Sequence, residues 1–201
     1  MRWQATLSAV LWMVGLSVVV CVSMPISQAS AQDTSWEHYM AEGAKAYQNG
    51  EETNAEMFYL AALEGVRDTS PEDPRLAATL NALAVLYHTQ RKYAQAEPLY
   101  ERVVKLLEQS IGLDHPTLAT ALNNLAVVYE AQGKYAEAAP LYQRALALME
   151  RTLGPEHPNL AATLDNYADL LRKMQRDAEA ETAEARAKAI WAKQKSAPAG
   201  K

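Results

Sequence analysis

The sequence predicts an all-α fold, a right-handed superhelical solenoid of about four antiparallel helix pairs. Three observations predict it: a segment that repeats, apolar residues at helical spacing, and a proline-containing loop before each new pair. Segment 80–104 (LNALAVLYHTQRKYAQAEPLYERVV) recurs as segment 122–146 (LNNLAVVYEAQGKYAEAAPLYQRAL), and the two share 15 of 25 letters. The distance from position 80 to position 122, which is 42 residues, is one repeat length. Such repeats are typical of stacked supersecondary units, each burying its apolar face against its neighbours.

The spacing of apolar residues indicates helices rather than strands. In the third pair, Leu118, Leu122, Leu125, Ala126 and Tyr129 advance by four, three, one and three residues. Such steps place all five side chains on one face of a helix, whereas a half-buried strand would alternate every second residue. No segment of the predicted domain alternates for long enough to form a strand.

The first pair is a diverged copy, and it precedes the second by one position less than a full repeat length. We predict helices at about residues 35–48 and 52–67, joined by a turn at Gly50. Asp33, Thr34 and Ser35 are candidates to cap the first of them, because their side-chain oxygens accept bonds from free helix amides.

Prolines mark the start of each later pair. Pro74, Pro116 and Pro158 each follow a polar loop, and proline in the first helical turn loses no backbone hydrogen bond. Pro98 and Pro140 lie further inside their second helices, where proline removes a bond. We therefore expect a slight bend at each.

The repeat fades towards the end of the chain. The last helix, 177 to about 195, is rich in Ala, Glu and Lys and is predicted to be a solvating cap, followed by a flexible tail at 196–201. The predicted repeat domain covers residues 32–195, with repeats at about 35–72, 73–114, 115–156 and 157–195.

Residues 122–146 also carry a recognisable pattern of small and aromatic residues. Its letters are Leu125, Ala126, Tyr129, Gly133, Tyr135, Ala138, Tyr142, Ala145 and Leu146. The pattern resembles the tetratricopeptide repeat, a helix-turn-helix unit in which small residues let the two helices approach closely. The long period and the LGPEHP linker are most similar to the repeat of kinesin light chain. The heptad-repeat arm of that family is not included in the match, so a kinesin role is not implied.

Composition excludes several kinds of function. The formal net charge is −5, and removing the N-terminal segment with Arg2 leaves 18 basic against 24 acidic residues, or −6. Nucleic-acid binding needs a basic surface for the phosphates, so we expect none. Cys21 is the only cysteine and precedes the repeats, so the domain has no thiol for a disulfide or a zinc site.

Residues 1–31 have the features of a targeting segment. Arg2 precedes a long uncharged stretch with a nearly unbroken apolar run at 7–22, and Ala29 and Ala31 suit a signal peptidase. We expect cleavage and export, either periplasmic or secreted. The alternative is an uncleaved membrane anchor with the repeats facing away from the cytoplasm, because the run approaches the length that spans a bilayer. Membrane contact is expected only through this segment.

An enzyme is not predicted, and neither is a cofactor or a metal. The catalytic signatures HExxH and GxSxG and the phosphate-binding loop do not occur. His115 and His157 lie one repeat length apart, but each directly precedes a proline at a repeat boundary. We therefore expect them to cap helices or pack in loops.

The resemblance implies a concave groove lined by the first helix of each pair. The groove is suited to an extended peptide or a segment of a protein partner. Its predicted contacts are Met40, Ala44, Tyr47, Asn81, Val85, His88, Asn123, Val127, Glu130, Asp165, Asp169 and Arg172. Arg172 is the only cation among them, which disfavours an acidic ligand such as a chaperone tail. A ligand of mixed apolar and basic character fits better.

Several of these residues have a structural alternative. Asn81 and Asn123 could bond to a peptide backbone, since an amide both donates and accepts, or they could brace one helix against the next. For Asn124 and Asn166 the structural role is favoured. Tyr47, Val85 and Val127 could equally be packing residues.

Two functions follow from the sequence. The first is an exported, non-enzymatic interaction module that binds a peptide or partner segment in the groove. The alternative is a structural subunit of an envelope or membrane complex, docked by its outer surfaces and tethered by its N-terminal helix. The identity of the partner and the oligomeric state are left open.

Overall fold

A computed structural model describes residues 36–110 and 112–196, and these residues form eight α-helices and no strand. The helices are α1 (Trp36–Gln48), α2 (Glu52–Val66), α3 (Pro74–Thr89), α4 (Tyr93–Ser110), α5 (Pro116–Ala131), α6 (Tyr135–Leu153), α7 (Pro158–Lys173) and α8 (Asp177–Ser196). Each odd-numbered helix packs most extensively against the even-numbered helix that follows it, and then each pair packs against the next. The predicted all-α solenoid of four helix pairs is therefore confirmed.

The predicted ends of three helices agree with the structure to within about one residue. The helix expected at 35–48 spans Trp36–Gln48, that at 52–67 spans Glu52–Val66, and that at 177–195 spans Asp177–Ser196. The apolar run at 7–22 lies outside the described residues. Within the described part, no helix is both long and apolar enough to cross a bilayer.

Small residues let the two helices of each pair come close together. The structure buries an alanine at two recurring positions: Ala84, Ala126 and Ala168 in first helices, and Ala96, Ala138 and Ala180 in second helices. In α1 the position of Ala84 is taken by Gly43, where an added Cβ would lie 2.5 Å from the ring of Tyr59. The first pair therefore requires glycine because Tyr59 fills the space that a methyl group would occupy.

The turn inside each pair has a left-handed residue at one recurring position. Its backbone φ is 75° at Gly50, 58° at Arg91, 76° at Gly133 and 59° at Gln175. Glycine adopts this conformation without steric cost, whereas a residue with a Cβ does not. Two of the four turns are therefore built with an unfavourable residue.

The loop before each later pair ends in a side chain that caps the next helix. Asp73 Oδ1 accepts from the amide of Arg75 at 3.0 Å, and its pKa is lowered, chiefly by the side-chain hydrogen bond from Arg75. His115 and His157 occupy the same repeat position as Asp73. The Nδ1 atom of His115 accepts from the amide of Thr117 at 3.2 Å, and that of His157 from Asn159 at 3.1 Å. The two histidines thus cap helices, as the sequence indicates.

Successive pairs are joined by ion pairs that follow the repeat. Arg144 donates to Glu108 at 2.6 Å, and Arg186 donates to Glu150 at 2.7 Å, so the same pair occurs again one repeat length later. Pro98 and Pro140 lie inside α4 and α6 and are exposed. The bend expected at these prolines stays a prediction.

Candidate functional site

Three first helices, α3, α5 and α7, share a surface with a depression of about 210 Å³, which we call the acidic pocket. Two aromatic residues of second helices, Tyr93 and Tyr142, also contribute to its wall. The pocket is lined by His88, Tyr93, Val127, Glu130, Ala131, Tyr142, Asn166, Asp169 and Lys173. Four of the predicted groove residues therefore lie together: His88, Val127, Glu130 and Asp169.

Both carboxylate oxygens of Glu130, in the acidic pocket, accept hydrogen bonds. Its Oε2 accepts from the hydroxyl of Tyr142 at 2.8 Å, and its Oε1 accepts from Lys173 Nζ at 2.7 Å. Burial raises the pKa of Tyr142, and the charge of Glu130 raises it further. The hydrogen bond to Glu130 also raises the pKa of Lys173. Lys173 makes its direct contact with Glu130 and attracts Asp169 only through its charge, so Asp169 is the exposed carboxylate of the pocket that a partner can reach.

His88 lies at the side of the pocket towards α4. Its ring centroid is 5.7 Å from that of Tyr93, and burial lowers the pKa of its imidazole. A lowered pKa favours the neutral ring at neutral pH. His88 therefore adds no positive charge to offset Asp169.

The asparagines of α5 and α7 bond to one another. Asn166 Nδ2 donates to Asn123 Oδ1 at 3.3 Å, and Asn123 Nδ2 donates to Asn124 Oδ1 at 3.3 Å. This chain of amides braces α5 against α7. Asn81, on α3, instead lines a separate cleft.

That cleft, which we call the apolar cleft, lies between α3 and α5 and has a volume of about 540 Å³. Val103 and Leu107 of α4 lie beneath it, and small residues form its walls. Its lining is Glu72, Pro74, Ala77, Ala78, Asn81, Val103, Leu107, Ser110, His115, Thr117, Thr120 and Ala121.

Two other predicted contacts are occupied by α8. Asp165 accepts from the indole Nε1 of Trp191 at 2.9 Å, and Arg172 makes two bonds to Glu184, the shorter of 2.6 Å. Asp165 and Glu184 also line a depression of about 650 Å³ beside α8. Arg172 is therefore turned towards its own pair rather than into the acidic pocket.

The remaining predicted contacts are partly buried packing residues. Met40 and Tyr47 pack against a small core formed by the first two pairs, and Val85 packs against the main core. Ala44 is half-buried on α1. As contacts for a partner, all the residues that the sequence singled out stay predictions.

Sequence reasoning missed Lys173 and the apolar cleft. The separation of 43 positions between Lys173 and Glu130 could have suggested their contact, because a lysine about one repeat length further on lies on the neighbouring first helix. The cleft had no comparable signal, since alanine and threonine on its walls resemble ordinary small packing residues. Among the described residues, no cluster of His, Asp and Glu could hold a metal ion.

The fold and this surface define a class: helical-repeat scaffolds, whose stacked helix pairs present an extended surface to other proteins. The sequence matches the tetratricopeptide repeat over residues 43–109 and 117–193, most of the chain. The chain belongs to the tetratricopeptide repeat family. Proteins of this family bind protein or peptide partners and are generally non-catalytic scaffolds.

Solved structures give the same fold. BtubC (BKLC) from P. vanneervenii superposes with a TM-score of 0.75 at 23% identity, over 87% of this chain and 70% of that one. A putative kinesin light chain of Podosopora anserina gives 0.69 at 24% identity, over 80% and 76%. The apo form of RapI gives 0.74 at 16% identity, over 84% and 60%. At these identities the likeness shows the fold alone. A sequence comparison with curated proteins finds no match.

Proposed function

We propose that this protein is an exported, non-enzymatic interaction module that binds a peptide or partner segment along α3, α5 and α7. The observation that carries the proposal is the pair of depressions on this surface. The acidic pocket draws residues from three first helices, and the apolar cleft lies between two of them. A segment lying across these helices would contact both.

The charge of the surface favours a partner with basic residues. Glu72, Glu130 and Asp169 line the two depressions, and among the described lining residues Lys173 is the one lysine or arginine. The surface is therefore acidic by about two charges, and it would attract a cationic segment during association. An acidic ligand would be repelled by Asp169.

The non-enzymatic part of the proposal rests on what the histidines do. His115 and His157 use Nδ1 to cap α5 and α7, and His88 packs beside Tyr93. General acid-base catalysis needs a histidine or carboxylate within reach of a substrate proton. The two histidines that recur in the sequence, His115 and His157, therefore have a structural role as helix caps.

Groove binding is tested with paired variants of the full chain, affinity-tagged in its native cells. Val127→Glu with Asp169→Lys changes the acidic pocket. Arg102→Glu with Lys105→Glu is the matched control, because both residues are exposed on α4, a second helix. Quantitative mass spectrometry of the co-purified proteins is expected to show loss of the partner only with the first variant. Loss only with the second variant would overturn the groove and support docking by the outer surface.

Export is tested on the same preparation. We expect the native N-terminus near Gln32 in a soluble exported fraction, because Ala29 and Ala31 suit a signal peptidase. A start at Met1 in the membrane fraction would instead make the apolar run at 7–22 an anchor. In that case the tethered structural subunit becomes the better description.

A further inference from the structure

The apolar cleft differs from the neighbouring junctions between first helices. Between α1 and α3, Trp36 reaches across and its indole Nε1 donates to Thr79 Oγ1 at 2.7 Å. Trp36 is partly buried against the main core, and Thr79 is fully buried. The first junction is therefore filled by a bulky side chain of the protein itself.

The junction between α5 and α7 has a buried contact of its own. Met149 of α6 lies beneath it, and Thr163 Oγ1 of α7 lies 3.4 Å from the Met149 sulfur. Both residues are buried, with 2% of each accessible to solvent. Thr163 occupies the same repeat position as Thr79, two repeat lengths later.

In the junction between α3 and α5, two of these positions hold alanine, and the third holds a leucine of about the same size as methionine. Ala77 stands at the repeat position of Trp36, and Leu107 and Ala121 stand one repeat length before Met149 and Thr163. A space of about 540 Å³ lies between the two helices there. A cleft of this size accommodates a large apolar side chain.

The acidic pocket lies further along the same helices. Thr120 lines the apolar cleft and Val127 lines the acidic pocket, and the step of seven positions between them covers about 10 Å of α5 at 1.5 Å per residue. Asp169 lies on the neighbouring helix α7, about 9 Å further across, so an extended peptide covers the combined distance of about 14 Å in about four residues. The carboxylate available there is that of Asp169, because Glu130 is bonded to Lys173 and Tyr142.

We propose that the apolar cleft is a specificity pocket for a bulky apolar side chain of an extended partner segment, whose basic side chain about four residues away pairs with Asp169. This inference rests on the proposed function, and it names the chemistry of the partner. Apolar burial in the cleft supplies affinity, while the carboxylate fixes the direction and register of the segment.

The test uses a phage-displayed library of random twelve-residue peptides, selected on the biotinylated protein purified from its native cells. Enriched peptides are expected to share a large apolar residue and a lysine or arginine about four positions away. Synthetic versions of two enriched peptides are then measured by fluorescence anisotropy, each beside a copy with the apolar residue replaced by serine and one with the basic residue replaced by glutamine.

Variants then locate the binding. Ala78→Trp fills the cleft from one wall and Thr120→Trp from the other; both residues are exposed, so folding is expected to survive, as circular dichroism would verify. Each is expected to weaken binding at least tenfold. Asp169→Asn is expected to weaken binding severalfold and to reduce its dependence on salt. Ala147→Trp, exposed on α6 and lining neither depression, is the control and leaves binding unchanged.

The outcomes separate the inference from the proposed function. Peptides that bind equally well to both cleft variants but not to Val127→Glu would overturn the cleft and keep the groove. Enrichment of acidic sequences, or of sequences with no shared apolar residue, would also overturn the inference. Failure to enrich any peptide, or binding that no variant of either depression alters, would count against the groove itself.

Discussion

Lys173 Nζ donates to Glu130 Oε1 at 2.7 Å, joining two first helices across 43 positions of sequence. The carboxylate is largely buried, with 10% of its side chain accessible, whereas the lysine is about half exposed at 49%. The contact neutralises the innermost charge of the acidic pocket. It thereby decides which carboxylate a partner meets, since Asp169 is exposed beside it.

Removal of this lysine is expected to affect both stability and charge. Lys173→Met should lower the free energy of unfolding by about 0.5 to 1 kcal/mol, a modest amount because the pair is partly solvated. The folded pKa of Lys173 is raised, so its contribution is complete below the ordinary lysine value of 10.5 and is lost as pH rises through the raised value. Urea unfolding of both proteins at pH 7, 9 and 11 measures this, and a gap that widened towards pH 11 would contradict it.

Helix capping by histidine makes a second prediction. His115→Ala should cost about 1 kcal/mol because the amide of Thr117 loses its acceptor. His115→Asp should equal or exceed the wild type at pH 7, because Asp73 caps α3 in the same way and a carboxylate also favours a helix N-terminus. Thermal unfolding ranks the three proteins. Two results together would contradict the capping role and indicate a metal site. The alanine variant would keep the wild-type melting temperature, and elemental analysis would show that it has lost bound zinc.

The left-handed turn residues make a third prediction. Arg91→Gly should stabilise the protein by about 1 kcal/mol, because φ at Arg91 is 58° and a Cβ is unfavourable there. Gly133→Ala is the reciprocal variant, since Gly133 has φ 76° at the same repeat position, and it should destabilise by a similar amount. Chemical denaturation measures both. Opposite signs are required, and a loss of stability in Arg91→Gly would show that the arginine side chain makes a compensating contact.

Acid sensitivity is predicted at the interface between the second and third pairs. Lys134 donates to Glu97 at 2.6 Å and Gln132 donates at 2.7 Å. The bond from Lys134 is the main cause that lowers the pKa of Glu97. The stability it contributes is therefore present above about pH 4.5 and lost as pH falls through the lowered folded value.

Glu97→Gln should accordingly cost about 1 kcal/mol at pH 7, and its difference from the wild type should shrink below about pH 4.5. Urea unfolding at pH 7, 5, 4 and 3 follows this difference. Glu181→Gln, exposed on α8, is the control and should change stability only slightly, because it removes no more than a weak attraction to Arg172. A difference that is constant over this pH range would mean that the charge of Glu97 is not what stabilises the interface.

The fold could be predicted from the sequence because the same packing residues recur from one repeat to the next. Ala126 and Ala138 recur as small residues wherever two helices cross, and Pro116 recurs wherever a pair begins. When small residues, turns and prolines all recur at the same period, the sequence indicates one helical unit that is stacked repeatedly. The predicted helices therefore agree closely with those of the structure.

The surface was harder to predict because a surface side chain can bond to any of several neighbours, and those neighbours differ from one repeat to the next. Asp165 and Arg172 follow the groove positions of earlier repeats, but they bond to Trp191 and Glu184. Both partners lie on α8, at positions that hold Met149 and Tyr142 one repeat length earlier, so the earlier repeats did not indicate these bonds. Asn123 was ambiguous for a similar reason, since an amide can bond to a ligand or to Asn166.

The prolines inside α4 and α6 make the last prediction. Pro140 is the sixth residue of α6, so an amide at this position would bond to the carbonyl of Ala136 in the preceding turn. Its ring is exposed, and replacement therefore sacrifices little packing. Pro140→Ala restores one backbone bond and relieves the clash with that carbonyl, at the cost of a more flexible unfolded chain. We expect a net gain of about 1 to 2 kcal/mol, measured by chemical denaturation, and a straighter α6 in a crystal structure.

Pro98→Ala should behave alike, because the residue stands at the same position of α4. A gain at neither site would mean that water already satisfies the freed carbonyls and that the first turns accept proline without strain.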